Sequence, residues 1–183
     1  MKKYLLILSF LIPVLALYGL VTKATWMASY DNDVVMNPLT ALMVISLVIA
    51  ISAKSVRTKA ITAIPVLTLC SLRIYEYMAG LTSNLDNVFT DDVSSIAPTT
   101  SAGLVFLALN VLDSDNQIPI WSFAKVLSLS IMAIGVAVVG MAGHFSGHYF
   151  YEWHMSINTA ICIVLMAIYN IVDSASKPPV LIA

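Results

Sequence analysis

The chain has 183 residues, is 60% hydrophobic and only 10% charged, and has a mean hydropathy of +0.91. Soluble domains run roughly 45–50% apolar and about 25% charged, so this composition excludes an ordinary soluble domain. Nine Lys+Arg against ten Asp+Glu leave a net charge of −1 with no basic tract, which argues against both a nucleic-acid-binding surface and a disordered chain. The composition predicts a small all-α integral membrane protein with the lipid bilayer as its main partner.

A hydrocarbon core of about 30 Å needs roughly 20 mostly apolar residues in a helix. Six stretches qualify in chain order: 4–21, 34–53, 60–80, 96–112, 121–143 and 155–172. Backbone groups in lipid must be satisfied internally, so runs of this length are helices, and the alternation of a membrane β-barrel is absent. The first stretch follows Met1-Lys2-Lys3 and has the outline of a secretory signal, but it exceeds the usual 7–15 apolar residues and reads as a retained anchor. Pro13 and Pro65 are expected to kink the first and third helices. Ala133, Ala137 and Gly140 give the fifth a small-residue face for close packing.

Lysine and arginine set the orientation. Lys2, Lys3, Lys54, Arg57, Lys59, Lys125 and Lys177 fall on one side if the spans alternate, which predicts cytoplasmic termini. The opposite side collects Asp31, Asp33, Asp86, Asp91 and Asp92 with an interfacial belt that includes Trp26, Tyr30, Tyr149 and Trp153. The expected architecture is a single domain over 1–183, six transmembrane helices arranged as three repeated hairpins, N-in/C-in.

The repeat shows at the outward helix starts. Met36-Asn37-Pro38-Leu39-Thr40-Ala41 opens the second span, Ile96-Ala97-Pro98-Thr99-Thr100-Ser101 opens the fourth 60 residues later, and Met155-Ser156-Ile157-Asn158-Thr159-Ala160 opens the sixth 59 residues after that. Asn37 and Ser156 are good N-cap residues, and Pro38 and Pro98 suit a first helical turn, where no amide partner is lost. Capping accounts for the motif by itself. Convergence of three positive helix ends on a polar or anionic ligand is the functional alternative.

The helix start at Met36 to Ala41, the aromatic-to-Gly-Leu stretch from Tyr75 to Leu81, the Leu-x-x-Val-Phe segment from Leu85 to Phe89 and the second start at Ala97 to Thr100 carry a resemblance. Together they resemble the multi-pass N-terminal membrane region of some bacterial sensor histidine kinases and diguanylate cyclases, over about residues 36–112. That likeness implies a sensing or interaction module in a bacterial inner membrane. Such regions lead into a cytoplasmic signalling domain, and no output domain is expected within these 183 residues.

Two polar groups stand out inside the spans. Arg73 and Glu76, about one turn inside the outer end of the third span, share a helical face at i,i+3 and are expected to pair. They form either a structural ion pair or the core of a ligand site with Tyr77, Thr100, His154 and Asn158. All three histidines lie in one segment: His144, His148 and Glu152 would stand on one face if the fifth helix ran on, with His154 close by. These ligand types suit zinc, copper or iron, although Gly143 and Gly147 argue against the extension. Asn110 and Asn170, near the cytoplasmic helix ends, suit interhelical hydrogen bonds. Cys70 and Cys162 lie in apolar runs and read as buried free thiols, and no Cys-x-x-Cys, phosphate loop or nucleophile elbow occurs.

The expected function is a non-enzymatic sensory or regulatory module with no cofactor, binding a small amphipathic ligand or partner helices at its outer-leaflet face. Another membrane protein or a second copy of the chain is the expected partner. An accessory subunit of a larger membrane complex is the first alternative, and a metal- or haem-dependent redox protein the second.

Overall fold

The computed structural model describes residues 2–22, 36–81, 96–113, 119–145 and 155–176. Among the described residues it has six α-helices and no strand: α1 (Lys2–Val21), α2 (Pro38–Ser52), α3 (Val56–Met78), α4 (Pro98–Asp113), α5 (Pro119–Phe145) and α6 (Ile157–Ala175). Their order follows the six expected apolar stretches, but their ends do not. α2 and α4 each begin at a proline, giving helices of 15 and 16 residues, or about 22 and 24 Å at 1.5 Å per residue. α5 continues through Gly143 to Phe145, because a buried glycine costs a packed helix only about 1 kcal/mol. α1 and α3 run on through Pro13 and Pro65.

Three helices, α1, α5 and α6, are long and apolar enough to cross a membrane; six were expected. α2 and α4 fall short in length. α3 has 23 residues but carries Arg57, Lys59, Arg73 and Glu76.

Each helix packs on its neighbours in the chain, and α1 closes the ring against α6. In addition α2, α4 and α6 pack on one another, so these three form a central triangle. α1 lies outside between α6 and α2, α3 between α2 and α4, and α5 between α4 and α6. The hairpins α1–α2, α3–α4 and α5–α6 therefore occupy equivalent places around one axis. Burial follows the same register. Thr40, Thr100 and Thr159 are buried, and so are Ala41, Ser101 and Ala160, then Val44, Leu104 and Ile163, then Leu47, Leu107 and Met166. The outer helices repeat as well. Ser9, Cys70 and Ser130 are all buried at one offset from Gly19, Gly80 and Gly140.

The outer surface is apolar. Ile7, Leu11, Tyr18, Ile61, Ile64, Ile131 and Val138 are among many large hydrophobic side chains left exposed. Charge gathers at one end, where Lys2 pairs with Asp173 at 3.0 Å and Lys125 with Asp113 at 2.9 Å. Lys3, Lys54, Arg57 and Lys59 lie at the same end, by the antiparallel course of the helices.

The opposite end shows how the outer and inner helices are staggered. The Met155 N–H donates to the Gly140 carbonyl at 3.3 Å, so α6 starts level with Gly140 while α5 runs on to Phe145. The start of α6 is thus set roughly 7 Å below the tip of its outer partner. On the second hairpin the Arg73 side chain reaches the Ile96 carbonyl at 3.4 Å.

Gly140 makes that approach possible. A Cβ placed there would lie 2.7 Å from Met155 Cε, 2.9 Å from Met155 Cγ and 3.2 Å from Thr99 Oγ1, whereas one at the exposed Gly135 would meet nothing within 4 Å. Gly140→Ala is expected to destabilise the bundle by about 1–3 kcal/mol, and Gly135→Ala to be neutral or stabilising by up to about 1 kcal/mol. Unfolding curves of the two variants in one detergent check the contrast.

Candidate functional site

The polar outer end of α3 is built from local rules. Arg73 and Glu76 fall on one face at i,i+3, and Arg73 Nη1 lies 3.5 Å from Glu76 Oε2. Their side chains are only 15% and 17% exposed. The helix stops just beyond them in a Schellman turn: the Leu81 N–H donates to the Glu76 carbonyl at 2.9 Å and the Gly80 N–H to the Tyr77 carbonyl at 3.1 Å. Gly80 sits at φ +65°, a conformation that lacks a steric cost only without a Cβ.

Beside this end of α3 lie the starts of α2 and α4, and the start of α6 completes the central triangle away from it. Asn37 caps α2, its Oδ1 accepting from the Leu39 N–H at 2.8 Å. Ser156 caps α6, accepting from the Thr159 N–H at 3.3 Å, and its hydroxyl lies 2.7 Å from Thr159 Oγ1. Between α3 and the starts of α2 and α4 lies a small cavity of about 10 Å³. Arg73, Cys70 and Leu69 line it from α3, Leu39 and Met43 from α2, Ser101 from α4 and Ile96 from just before it. Ser101 Oγ is buried there without a hydrogen-bond partner, and Cys70 Sγ lies 3.5 Å from Met43 Sδ.

The structure thus brings Arg73 and Glu76 together and seats Arg73 against the starts of α2 and α4. Thr100 is buried on α4 and Asn158 half-buried on α6, each with its element in the central triangle, but neither lines the Arg73 cavity. Tyr77 is half-buried on α3. His148, Glu152 and His154 lie outside the described residues, and of His144 only the backbone, within α5, is described. No group of three or more His, Cys, Asp or Glu that could hold a metal occurs among the described residues. Cys70 and Cys162 are free and buried.

Sequence reading gave Ser101, Cys70 and Met43 no place beside Arg73, although it marked Cys70 as a buried free thiol. A signal for Ser101 was present: it stands where the other two repeats have Ala41 and Ala160. Arg73 carries a similar mark, standing at the offset from Gly80 that Ala133 has from Gly140.

A larger hollow of about 690 Å³ opens at the basic end between α4 and α5. Its polar wall is the Lys125–Asp113 pair, with Lys125 57% exposed, so water screens its charges and it holds little binding chemistry. The Arg73 end is small and largely buried, and charge counts for more there.

No protein-family model, curated protein or solved structure matches the chain.

Breaking a largely buried pair from one side strands the other charge. Arg73→Ala alone is expected to cost up to about 3 kcal/mol, and Arg73→Ala with Glu76→Ala clearly less. Melting of both variants in the same detergent tests that order.

Proposed function

We propose that this chain is a six-span membrane module, with both termini on the basic, cytoplasmic side of a bacterial inner membrane, that binds a small amphipathic ligand at its outer-leaflet end without catalysing a reaction. The reading rests on one observation above the others: a largely buried Arg–Glu pair at the outer end of an otherwise apolar bundle. Ionisable groups at membrane depth are expensive to insert and mark ligand or ion sites by default. The short α2 and α4 are compatible with six spans, because the residues preceding them, Met36 and Asn37 and Ile96 and Ala97, are buried among protein atoms, where irregular backbone is tolerated. The charge asymmetry between the two ends agrees with the orientation. The likeness of residues 36–112 to sensor membrane regions points the same way.

The mechanism follows from size. A cavity of about 10 Å³ does not admit a headgroup. A ligand's polar end meets the partly exposed edge of the Arg73–Glu76 pair, and deeper engagement separates α3 from the starts of α2 and α4. Binding energy is then spent on helix rearrangement. The ligand acts by favouring the separated packing over the closed one, and the shift is relayed to another membrane protein or a second copy.

The test is purification from native membranes in mild detergent, followed by mass spectrometry of everything retained. Wild-type protein is expected to keep an amphipathic compound that the folded Arg73→Ala, Glu76→Ala variant loses. Identical small-molecule profiles, with a set of co-purifying protein subunits unchanged by the double variant, would replace the sensor with an accessory subunit. A Soret band or stoichiometric metal in the purified protein would replace it with a redox role.

A further inference from the structure

The three outer helices differ in what becomes of the cations at their basic ends. On α3, Arg57, Ile61, Ile64, Thr68, Leu72 and Tyr75 recur at helical spacing, and all six are exposed. Arg57 therefore heads an apolar stripe, with Ile61 63% and Ile64 50% exposed one and two turns further along. Thr68 turns its hydroxyl back onto the Ile64 carbonyl at 2.9 Å, so it too suits an apolar surface. Lys54, also exposed, lies three residues before Arg57 in the short turn that joins α2 to α3. Neither Lys54 nor Arg57 has a side-chain hydrogen bond or ion pair among the described residues.

α5 supplies the contrast within the same repeat. Its exposed line, Ala124, Ser128, Ile131, Gly135, Val138 and Ala142, carries no charge, and the adjacent Lys125 is held by Asp113 of α4 at 2.9 Å. On α1, Lys2 is held by Asp173 at 3.0 Å, which leaves Lys3 above the exposed Ile7 and Phe10. Among the described residues, two free cations thus head the stripe of α3, one that of α1 and none that of α5.

Free positive charge at the end of an exposed apolar stripe fits a ligand with an anion at one end and hydrocarbon at the other. Each cation near an anionic membrane surface contributes about fivefold to binding, so two contribute roughly thirtyfold, whereas an exposed lysine already paired contributes little. We propose that the basic end of α3 is a binding site for one anionic phospholipid, whose phosphate meets Arg57 and Lys54 while an acyl chain lies on Ile61 and Ile64. The site is separate from the outer-end ligand and shares with that proposal only the membrane-spanning reading of the chain.

Phosphatidylglycerol and phosphatidylcholine, each with a diazirine midway along one acyl chain, provide the test. The full chain is reconstituted in phosphatidylcholine bilayers doped with either probe and irradiated, and its labelled peptides are quantified by mass spectrometry. The phosphatidylcholine probe reports apolar exposure. Relative to it, the phosphatidylglycerol probe is expected to favour α3 over α5 several-fold. Lys54→Gln with Arg57→Gln removes that excess, and Lys125→Gln leaves it in place. The same α3-to-α5 ratio with both probes would overturn the site, as would an excess that survives the Lys54→Gln, Arg57→Gln variant or falls equally with Lys125→Gln. If a variant does not fold, the wild-type ratios decide. Exclusion of both probes from every helix would remove the membrane-spanning reading and the site with it, whereas equal labelling by both removes the site alone.

Discussion

Three helix starts are buried in the middle of one end of this bundle, and the rest of the structure answers to that constraint. The first amides of a helix have no partner within it, and each must find one nearby when water is excluded. The chain solves this with short-range chemistry. Asn37 and Ser156 turn their side chains back onto α2 and α6, while Pro38 and Pro98 remove a donor at the first turn. The motif recurs because the burden recurs in each hairpin. Once the starts are satisfied locally, Val44, Leu104 and Ile163, and one layer further Leu47, Leu107 and Met166, can close on the axis without a polar group between them.

The second hairpin departs from that pattern. Where the third uses Ala133, Ala160 and a bare Gly140 against Met155, the second places Arg73 and Ser101, and its helix ends at the matching glycine, Gly80, in a Schellman turn. Direct apolar packing has been exchanged for hydrogen bonds and an ion pair at 3.4–3.5 Å, the long edge of useful geometry. Packing alone does not call for such an exchange, because small residues fill the same place in the third hairpin. This break in an otherwise even threefold pattern is the strongest physical reason to place a specialised role at α3 and α4.

Much of this was legible in the sequence, for identifiable reasons. The apolar runs gave all six helices, since few other structures accommodate them, and the Asn37-Pro38 and Ser156 signals marked two starts correctly. The i,i+3 spacing anticipated the Arg73–Glu76 pair, and Asn110 does bond across to Ser130 at 3.0 Å. Lengths were less legible. Apolar residues flanking a cap look the same inside and outside the helix, so α2 and α4 came out too long and α5, ending past Gly143, too short. Asn170 does not match the expectation, its Nδ2 being buried with no partner. The central triangle was hidden for a different reason: an all-round apolar helix declares that it is buried but not against what. Ser101 was hidden by its neighbours, because in Pro98-Thr99-Thr100-Ser101 one more hydroxyl reads as capping until the repeats are laid in register.

Where such a bundle yields is then a matter of comparing joints. α5 and α6 meet through a backbone bond and a methionine seated on a glycine, a contact with no intermediate state short of repacking. α3 and α4 meet through groups with alternative partners: the guanidinium can turn between Glu76, the Ile96 carbonyl and an incoming polar atom, and each exchange replaces one charge-assisted bond by another. α3 and α4 pack at least as extensively as α5 and α6, so what sets the second hairpin apart is the polar chemistry at its outer end, and on the proposed function those residues are the ones available to meet a ligand.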